Sequence, residues 1–393
     1  MNVKHCDVAI VGAGPAGSAT AITLARRRYS VVLLDREKFP REKLCGDFIN
    51  PSSWPTLAQL GVAQPILAAT PERVTRFRIT SHLGAEAEVP LGMQDGEPVF
   101  GVALRRATLD ALLLSRAQSE GAMALEPCKV KSLQRVSMGW SAIGDTPEGE
   151  CEIRAKVVIG ADGRNSWVAH RQGMAQSSAE RGRAVGFQFL VTSRHDVAGR
   201  VEIHLFPGGY VGLLGLGRGL VNFCFAVDKS CLEQHGSLDR LLSSSVRQDP
   251  DLNELLGQSE RVSAVRSTYP VYFPPRRCYG DALLLVGDAA RVSEPVTGEG
   301  IYFALRSGLL AGNAVHAGFC EGNLTATSLR RYAQACQRAF ALRRGLNAAI
   351  RYLMYRPRLL TQFVRFSAKQ QRLLDGVVHT LCLPEEQRAR ESV

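Results

Sequence analysis

The chain has 393 residues, of which 45% are hydrophobic and 22% charged, and a net charge of +11. This is the balance of an ordinary globular protein long enough for more than one structural unit. No Pro/Ser-rich linker, low-complexity tract or internal repeat interrupts it, so its domains are expected to interleave rather than follow one another. The ten cysteines are scattered, none as Cys-x-x-Cys and none beside a His pair. That argues against structural zinc or an iron–sulfur cluster, so no metal site is expected, and it suits a reducing, cytoplasmic setting.

The first element is an apolar strand, Val8–Val11, that runs into Gly12-x-Gly14-x-x-Gly17 and a helix to about Arg28. The run Val8–Ala25 carries no charge, but its three glycines and Pro15 argue against a membrane span or signal peptide. A second strand, Val31–Leu34, ends at Asp35 and Arg36. Strand, glycine turn, helix and acid at this spacing form a dinucleotide-binding unit. Gly12 permits the tight turn, Gly14 lets backbone approach a pyrophosphate beside Ala16, and Gly17 lets helix and strand pack. The helix N-terminus offers free N–H groups to phosphate, and Asp35 would accept from a ribose hydroxyl. This unit alone leaves NAD and FAD open.

Further along, "REKLCGDF" (41–48) places Cys45, Gly46 and Asp47 close behind that strand, and "LRRATLDALLLSRA" sets Arg106 four residues before Asp110. "AKVVIGADGRNSWVAHRQG" (155–173) is an apolar strand turning at Asp162-Gly163. Residues 74–102 and 184–227 read as strands, with a hairpin turn at 217–219, and 261–273 as one more. Their apolar residues, among them Phe189, Tyr210, Leu214 and Phe223, are candidates to line a hydrophobic substrate site. His204, on an apolar strand, reads as a core residue rather than a base. "DALLLVGDAARVSEPVTGEGIYFALRSGLLAG" (281–312) is a buried strand, then Gly287-Asp288, then a glycine-rich helix entry.

Between Glu321 and Asp375 there is no acidic residue but there are eleven basic ones, which account for the whole excess charge. Leucines and phenylalanines interleave with them, predicting basic amphipathic helices broken near Pro357. These helices are either a solvated face packed on the core or, over 330–372, a peripheral contact for an anionic membrane or an acidic partner. Nucleic acid is not expected, because no binding motif accompanies the charge.

Together the motifs at 12–17, 162–163 and 287–288 resemble the three fingerprints of the p-hydroxybenzoate hydroxylase-like flavoprotein superfamily, over most of residues 3–320. The resemblance implies FAD rather than NAD. It also implies an α/β fold, with a discontinuous Rossmann-like FAD-binding domain (1–73, 100–178 and 277–320) interleaved with an antiparallel β-sheet substrate domain (74–99 and 179–276). A basic helical region (321–393) follows. It places Asp288 near the ribityl and pyrophosphate groups, Gly298, Gly300 and Ile301 near the flavin pyrimidine, and Arg106 within reach of the cofactor. Asp35 stands where the superfamily more often has Glu.

Within the superfamily, "KLCGDFINPSSWPTLAQLG" and "EPVTGEGIYFALRSG" resemble the geranylgeranyl reductase family. That implies a place for Cys45 and Gly46 beside the isoalloxazine ring, with Cys45 either a proton donor or inert beside a Gly46 whose bare backbone fits the ring. The implied reaction moves hydride from a transiently bound NAD(P)H through FAD to a C=C bond of a hydrophobic prenyl or polyketide-like substrate. The alternative is a monooxygenase that activates O2 on reduced flavin to hydroxylate an aromatic or natural-product intermediate. The sequence departs from the reductase family at 208–217, where only Tyr210 remains of an aromatic–Trp–Phe–Pro type of motif. A halogenase is disfavoured, because "RVTRFRIT" lacks a lysine and the Trp-x-Trp-x-Ile-Pro motif is absent.

Overall fold

The computed structural model describes residues 2–383 except 95, 176–183, 195–196, 245–248, 294, 355, 357–358, 360, 364 and 367–370. Strand β1 (Asn2–Val11) feeds helix α1 (Pro15–Ala25) and then β2 (Val31–Leu34). The chain leaves for a second sheet through β3 (Arg76–Ser81) and β4 (Glu86–Pro90), and returns through α2 (Arg106–Ser119). The first sheet continues with β5 (Met123–Leu125), β6 (Lys129–Val136), β7 (Gly139–Thr146) and β8 (Gly149–Gly160), followed by the short α3 (Trp167–Arg171). The second sheet is completed by β9 (Ala184–Thr192), β10 (Arg200–Phe206), β11 (Gly209–Gly215) and β12 (Leu220–Asp228), with α4 (Pro250–Gly257) beyond. Strand β13 (Leu283–Leu285) rejoins the first sheet, and α5 (Gly300–Cys320), α6 (Ala326–Met354) and α7 (Gln371–Cys382) close the chain.

The first sheet runs β5-β2-β1-β8-β7-β6, with β13 added to β8. Its central strands pair in parallel, β1 with both β2 and β8. A parallel strand covered on both faces reads as a continuous apolar run, which is why Val8–Val11 does not alternate. Helix α1 is buried along its whole length, and this accounts for its lack of a polar face. It lies so close to α5 that a Cβ on Gly312 would stand 2.6 Å from Thr23 Cγ2.

In the second sheet β9, β12, β11, β10, β3 and β4 are neighbours in that order, antiparallel except for the parallel pair β3–β10. Period-2 alternation sorts its residues. Tyr210, Leu214, Val201, Ile203 and Ala226 belong to a core shared with the C-terminal helices. Phe189, Phe223, Phe225 and Leu213 pack instead with Leu252 and Leu255 of α4. The predicted strand at 261–273 is reduced to two short segments, Glu260–Arg261 and Arg266–Thr268.

His204 is buried on the α4 side of this sheet. Its Nδ1 lies 2.8 Å from Thr80 Oγ1 and 3.0 Å from Asp249, and its Nε2 3.1 Å from Glu202. Burial opposes its charge, but the bonds to Asp249 and Glu202 prevail and hold its pKa above the usual imidazole value. Among the described residues, His204, Asp249 and Asp251 are the one grouping spaced like metal ligands. Arg78 already sits 2.8 Å from Asp251.

Helix α6 ends at Met354, ahead of Pro357. Not all of the basic stretch is a solvated face. Arg343 is 1% exposed and pairs with the fully buried Glu299 at 2.5 Å, just ahead of α5. It also donates to the carbonyls of Leu381 (2.6 Å) and Leu383 (2.8 Å), while Asn347 donates to the other Glu299 oxygen at 2.9 Å. Burial pushes the Glu299 carboxyl up, and Arg343 opposes that. Arg358, Lys369 and the Arg372 side chain lie outside the described residues. Breaking this pair strands a buried charge, so Arg343→Met is expected to cost about 3–5 kcal/mol in urea denaturation, while Glu299→Gln/Arg343→Met recovers most of it.

Candidate functional site

The glycine turns meet at one cavity of about 480 Å³. Gly12, Gly14 and Ala16 border it from the β1–α1 turn, Asp162 and Gly163 from the end of β8, and Asp288 from the turn after β13. Asp35 and Arg36 line it from the end of β2, Arg106 from the start of α2, and Gly298, Gly300 and Ile301 from the entry to α5. Cys45 and Gly46 line it from the loop that precedes the short strand Phe48–Ile49. Gly17 and Gly287 stand behind this wall. A Cβ on Gly17 would overlap Gly12 O, and one on Gly287 would stand 2.8 Å from Ala16 Cβ. Gly12 has φ +103°, and its own Cβ would overlap Ala161 O, so turn and strand can meet only without a side chain there.

Around Gly14 the chemistry suits a diphosphate. A Cβ at Gly14 would meet only guanidinium ends, Arg41 at 3.5 Å and Arg106 at 4.0 Å. Both arginines are held by the fully buried Asp110, Arg106 through two bonds of 2.8 Å and Arg41 through an ion pair of 3.1 Å. The Asp110 ion pair leaves Arg41 Nη1 buried without a well-aligned hydrogen bond, and a phosphate oxygen would supply one. Lys43 faces the same space. Burial and the nearby Arg106 and Arg41 lower its pKa, against the pull of Asp288. At the ribose end, Asp35 accepts from Ala13 N (2.7 Å) and Glu37 N (3.0 Å), which leaves a lone pair on each oxygen for a hydroxyl. Arg36 is largely exposed and pairs with Glu37 at 3.5 Å. The Asp162 carboxylate is spent within the protein, accepting from Ser166 Oγ (2.5 Å) and Val168 N (3.0 Å). These groups fit the extended, anionic FAD.

The wall facing Cys45 comes from the second sheet. Tyr210 and Leu214 line the cavity, joined by Phe187 and Cys224. Phe189 and Phe223 do not, a correction to the sequence reading. They stack on each other with ring centroids 4.8 Å apart, in the core beneath α4. Burial, with a contribution from Asp47, raises the Cys45 thiol pKa against the pull of Arg106. Cys45 is thus kept as a protonated thiol. Burial pushes Asp47 itself up to about 6.

Sequence reasoning did not single out Arg41, Lys43, Cys224 or Asn222. The first two were within reach of it, since both lie in the quoted "REKLCGDF", a few residues behind the dinucleotide unit. Gly14 and Gly17 are expected to separate two roles. Gly14→Ala leaves unfolding free energy within about 1 kcal/mol but weakens FAD binding at least about tenfold, because its methyl enters the phosphate approach. Gly17→Ala costs more than about 3 kcal/mol through overlap with backbone. Urea denaturation and FAD titration of apoprotein measure the difference.

The family described as the FAD binding domain matches residues 5–340 of this chain. A digeranylgeranylglycerophospholipid reductase from Methanopyrus kandleri is 30% identical over 85% of this chain and 83% of its own length. A menaquinone reductase from Mycobacterium tuberculosis is 31% identical over 78% of this chain and 75% of its own. The crystal structure of a geranylgeranyl bacteriochlorophyll reductase-like protein from Thermoplasma acidophilum superposes with a TM-score of 0.80 over 100% of both chains at 18% identity, which shows a shared fold. With the turns converged on one flavin-sized groove and these relatives alongside, the chain belongs to the FAD-binding-domain family and is a geranylgeranyl reductase-like, FAD-dependent oxidoreductase.

Proposed function

We propose that the protein reduces a C=C bond of a hydrophobic substrate, with NAD(P)H as transient electron donor. Bound FAD supplies the acceptance and donation of hydride. The chain's residues do the rest. Arg41, Lys43 and Arg106 would hold the phosphates, and the N-terminus of α5 would stabilise negative charge on reduced flavin. Cys45, kept protonated, offers a proton to the carbon that does not receive hydride.

The observation that carries this reading is the apolar space beyond Cys45. The cavity wall there includes Phe77, Val201, Ile203, Tyr210 and Leu214. Phe77, Ile203 and Val296 also border a second cavity of about 100 Å³, which runs among Ile350, Leu353 and Phe363 under the C-terminal helices. The molecules in the relatives' names, a digeranylgeranylglycerophospholipid and menaquinone, are themselves largely apolar.

The test is flavin analysis of the purified protein, stopped-flow reduction by NADH and NADPH, and anaerobic turnover of prenyl-chain substrates with product mass. A gain of two hydrogens supports the proposal, whereas turnover that requires O2 and adds one oxygen supports the monooxygenase instead. Cys45→Ser is expected to bind FAD and accept hydride normally but to slow double-bond reduction by about 10²–10⁴-fold. An undiminished rate removes Cys45 from the chemistry.

The outer stripe of α6 gives the peripheral-membrane reading a concrete surface. Leu342 (63% exposed) and Tyr352 (56%) share a face with Gly345 and Ala349, and Arg338, Arg344 and Arg356 are exposed around them. Phe366 is 58% exposed further on. No helix among the described residues is long and apolar enough to cross a membrane. A reducing, cytoplasmic location accords with ten free cysteines. Vesicles containing anionic phospholipid are expected to sediment the protein at low salt, and Leu342→Glu/Tyr352→Glu to abolish this. Equal binding to neutral vesicles would discard the electrostatic part.

A further inference from the structure

We infer that Asn222 and Asp47 form a clamp, reaching from the substrate sheet to the flavin-site loop, that positions Cys45. This rests on the reading of Cys45 as proton donor. Asn222 lies on β12 and is fully buried. Its amide nitrogen donates to Cys45 O at 2.9 Å and to Asp47 Oδ2 at 2.7 Å, so both amide hydrogens go to the loop on either side of Gly46. Asp47 completes the clamp from within the loop. Its other carboxylate oxygen accepts from Arg106 N at 3.0 Å, and its carbonyl accepts from Leu104 N at 2.9 Å.

Two features set the arrangement apart from ordinary packing. Asn222 Oδ1 is buried without a hydrogen-bond partner. The amide is oriented to serve the loop at the expense of its own oxygen, a cost that a packing role does not explain. Asp47 has φ +58°, a left-handed conformation uncommon outside glycine. Such strain persists where the surroundings over-determine it, and it gathers at functional sites. The Arg106 guanidinium is committed to Asp110 through Nε and Nη2. The hydrogen bonds on the Asp47 carboxylate therefore come from a backbone N–H and the Asn222 amide.

Cys224 faces the same loop from the next inward position of β12, its Sγ 3.6 Å from where a Gly46 Cβ would stand. The clamp therefore holds Gly46 close to Cys224 of the sheet and leaves Cys45 bordering the cavity. Asn222 is a positioning residue. It holds the segment that carries the acid.

The test is maleimide labelling of native apoprotein, read by peptide mass spectrometry, with the exposed Cys320 as internal reference. Cys45 borders the cavity with intermediate exposure, and local opening of the loop frees its thiol further. Asn222→Leu removes both interdomain hydrogen bonds and is expected to raise Cys45 labelling about ten- to hundredfold relative to Cys320. A change within about twofold overturns the clamp. Asn222→Ser carries the same test if the leucine variant does not fold.

A pH profile separates positioning from mere support. The ionisable groups facing Cys45 are Asp47, Arg106 and Cys224. Asp47→Asn removes the one negative neighbour, leaves Arg106 and turns one of the two clamp acceptors into a donor, so Cys45 should label faster and become reactive at lower pH, while Asn222→Leu raises the rate across the range without shifting the profile. An unmoved profile in Asp47→Asn overturns the role given to Asp47. Both measurements use protein without FAD. A protein that fails to bind or reduce flavin would therefore sink the proposed function and leave the clamp to stand or fall on its own result.

Discussion

Close approach of backbone to backbone at the glycine turns is the constraint on which the rest depends. Where β1 ends, the chain must turn within a few residues, touch the strand end at Ala161 and enter a buried helix. Side chains at Gly12, Gly17 or Gly287 would force these segments apart by more than a packed core tolerates. Once they meet, the groove follows from geometry: the ends of β1, β2, β8 and β13 and the entries to α1, α2 and α5 open onto one space.

The groove is then furnished by charges that the core would otherwise reject. Asp110 is fully buried yet holds two arginines whose guanidinium ends stand beside Gly14. Glu299 stands just before α5 and turns its carboxylate away from the cavity, to Arg343 and Asn347 on α6. The C-terminal helices are thereby tied to the loop that opens α5. Buried ion pairs of this kind contribute little net stability compared with apolar packing. What they do here is set register: α6 and the carbonyls of Leu381 and Leu383 are located relative to the flavin loop by a single guanidinium. Asn222 ties the second sheet to the loop of Cys45 and Asp47 in the same way. The cavity thus has walls from separate parts of the chain, each pinned by a directional polar contact, around an interior that is largely apolar.

Much of this was legible in the sequence. Gly12, Gly14, Asp35, Asp162, Asp288 and Gly298 all border the cavity, because the motifs that carry them are local: turn, helix start and strand end act within a few residues of each other. The aromatic lining was harder. Phe187 and Phe189 occupy equivalent places in an alternating pattern, yet only Phe187 reaches the cavity. Alternation says which residues share a face, but not which face meets the flavin sheet or how far along a strand the cavity extends. The basic C-terminal stretch was read as one surface, whereas Arg343 is among the most buried side chains in the molecule and Arg338 and Arg344 are exposed. A periodicity cannot say which arginine will find a buried carboxylate more than forty residues away.

What the sequence determined by itself was therefore the set of turns and the dinucleotide-binding unit, since each is specified by the conformational demands of neighbouring residues; the choice of FAD over NAD came from the resemblance that the three motifs carry together. Only the tertiary structure decided that Arg41 and Arg106 share Asp110, that Arg343 seals Glu299, and that Asn222 reaches Cys45 across 177 positions of chain. Those pairings depend on how sheets and helices pack against one another. The energy of a hydrogen bond or ion pair depends on distance and burial, and separation along the chain specifies neither.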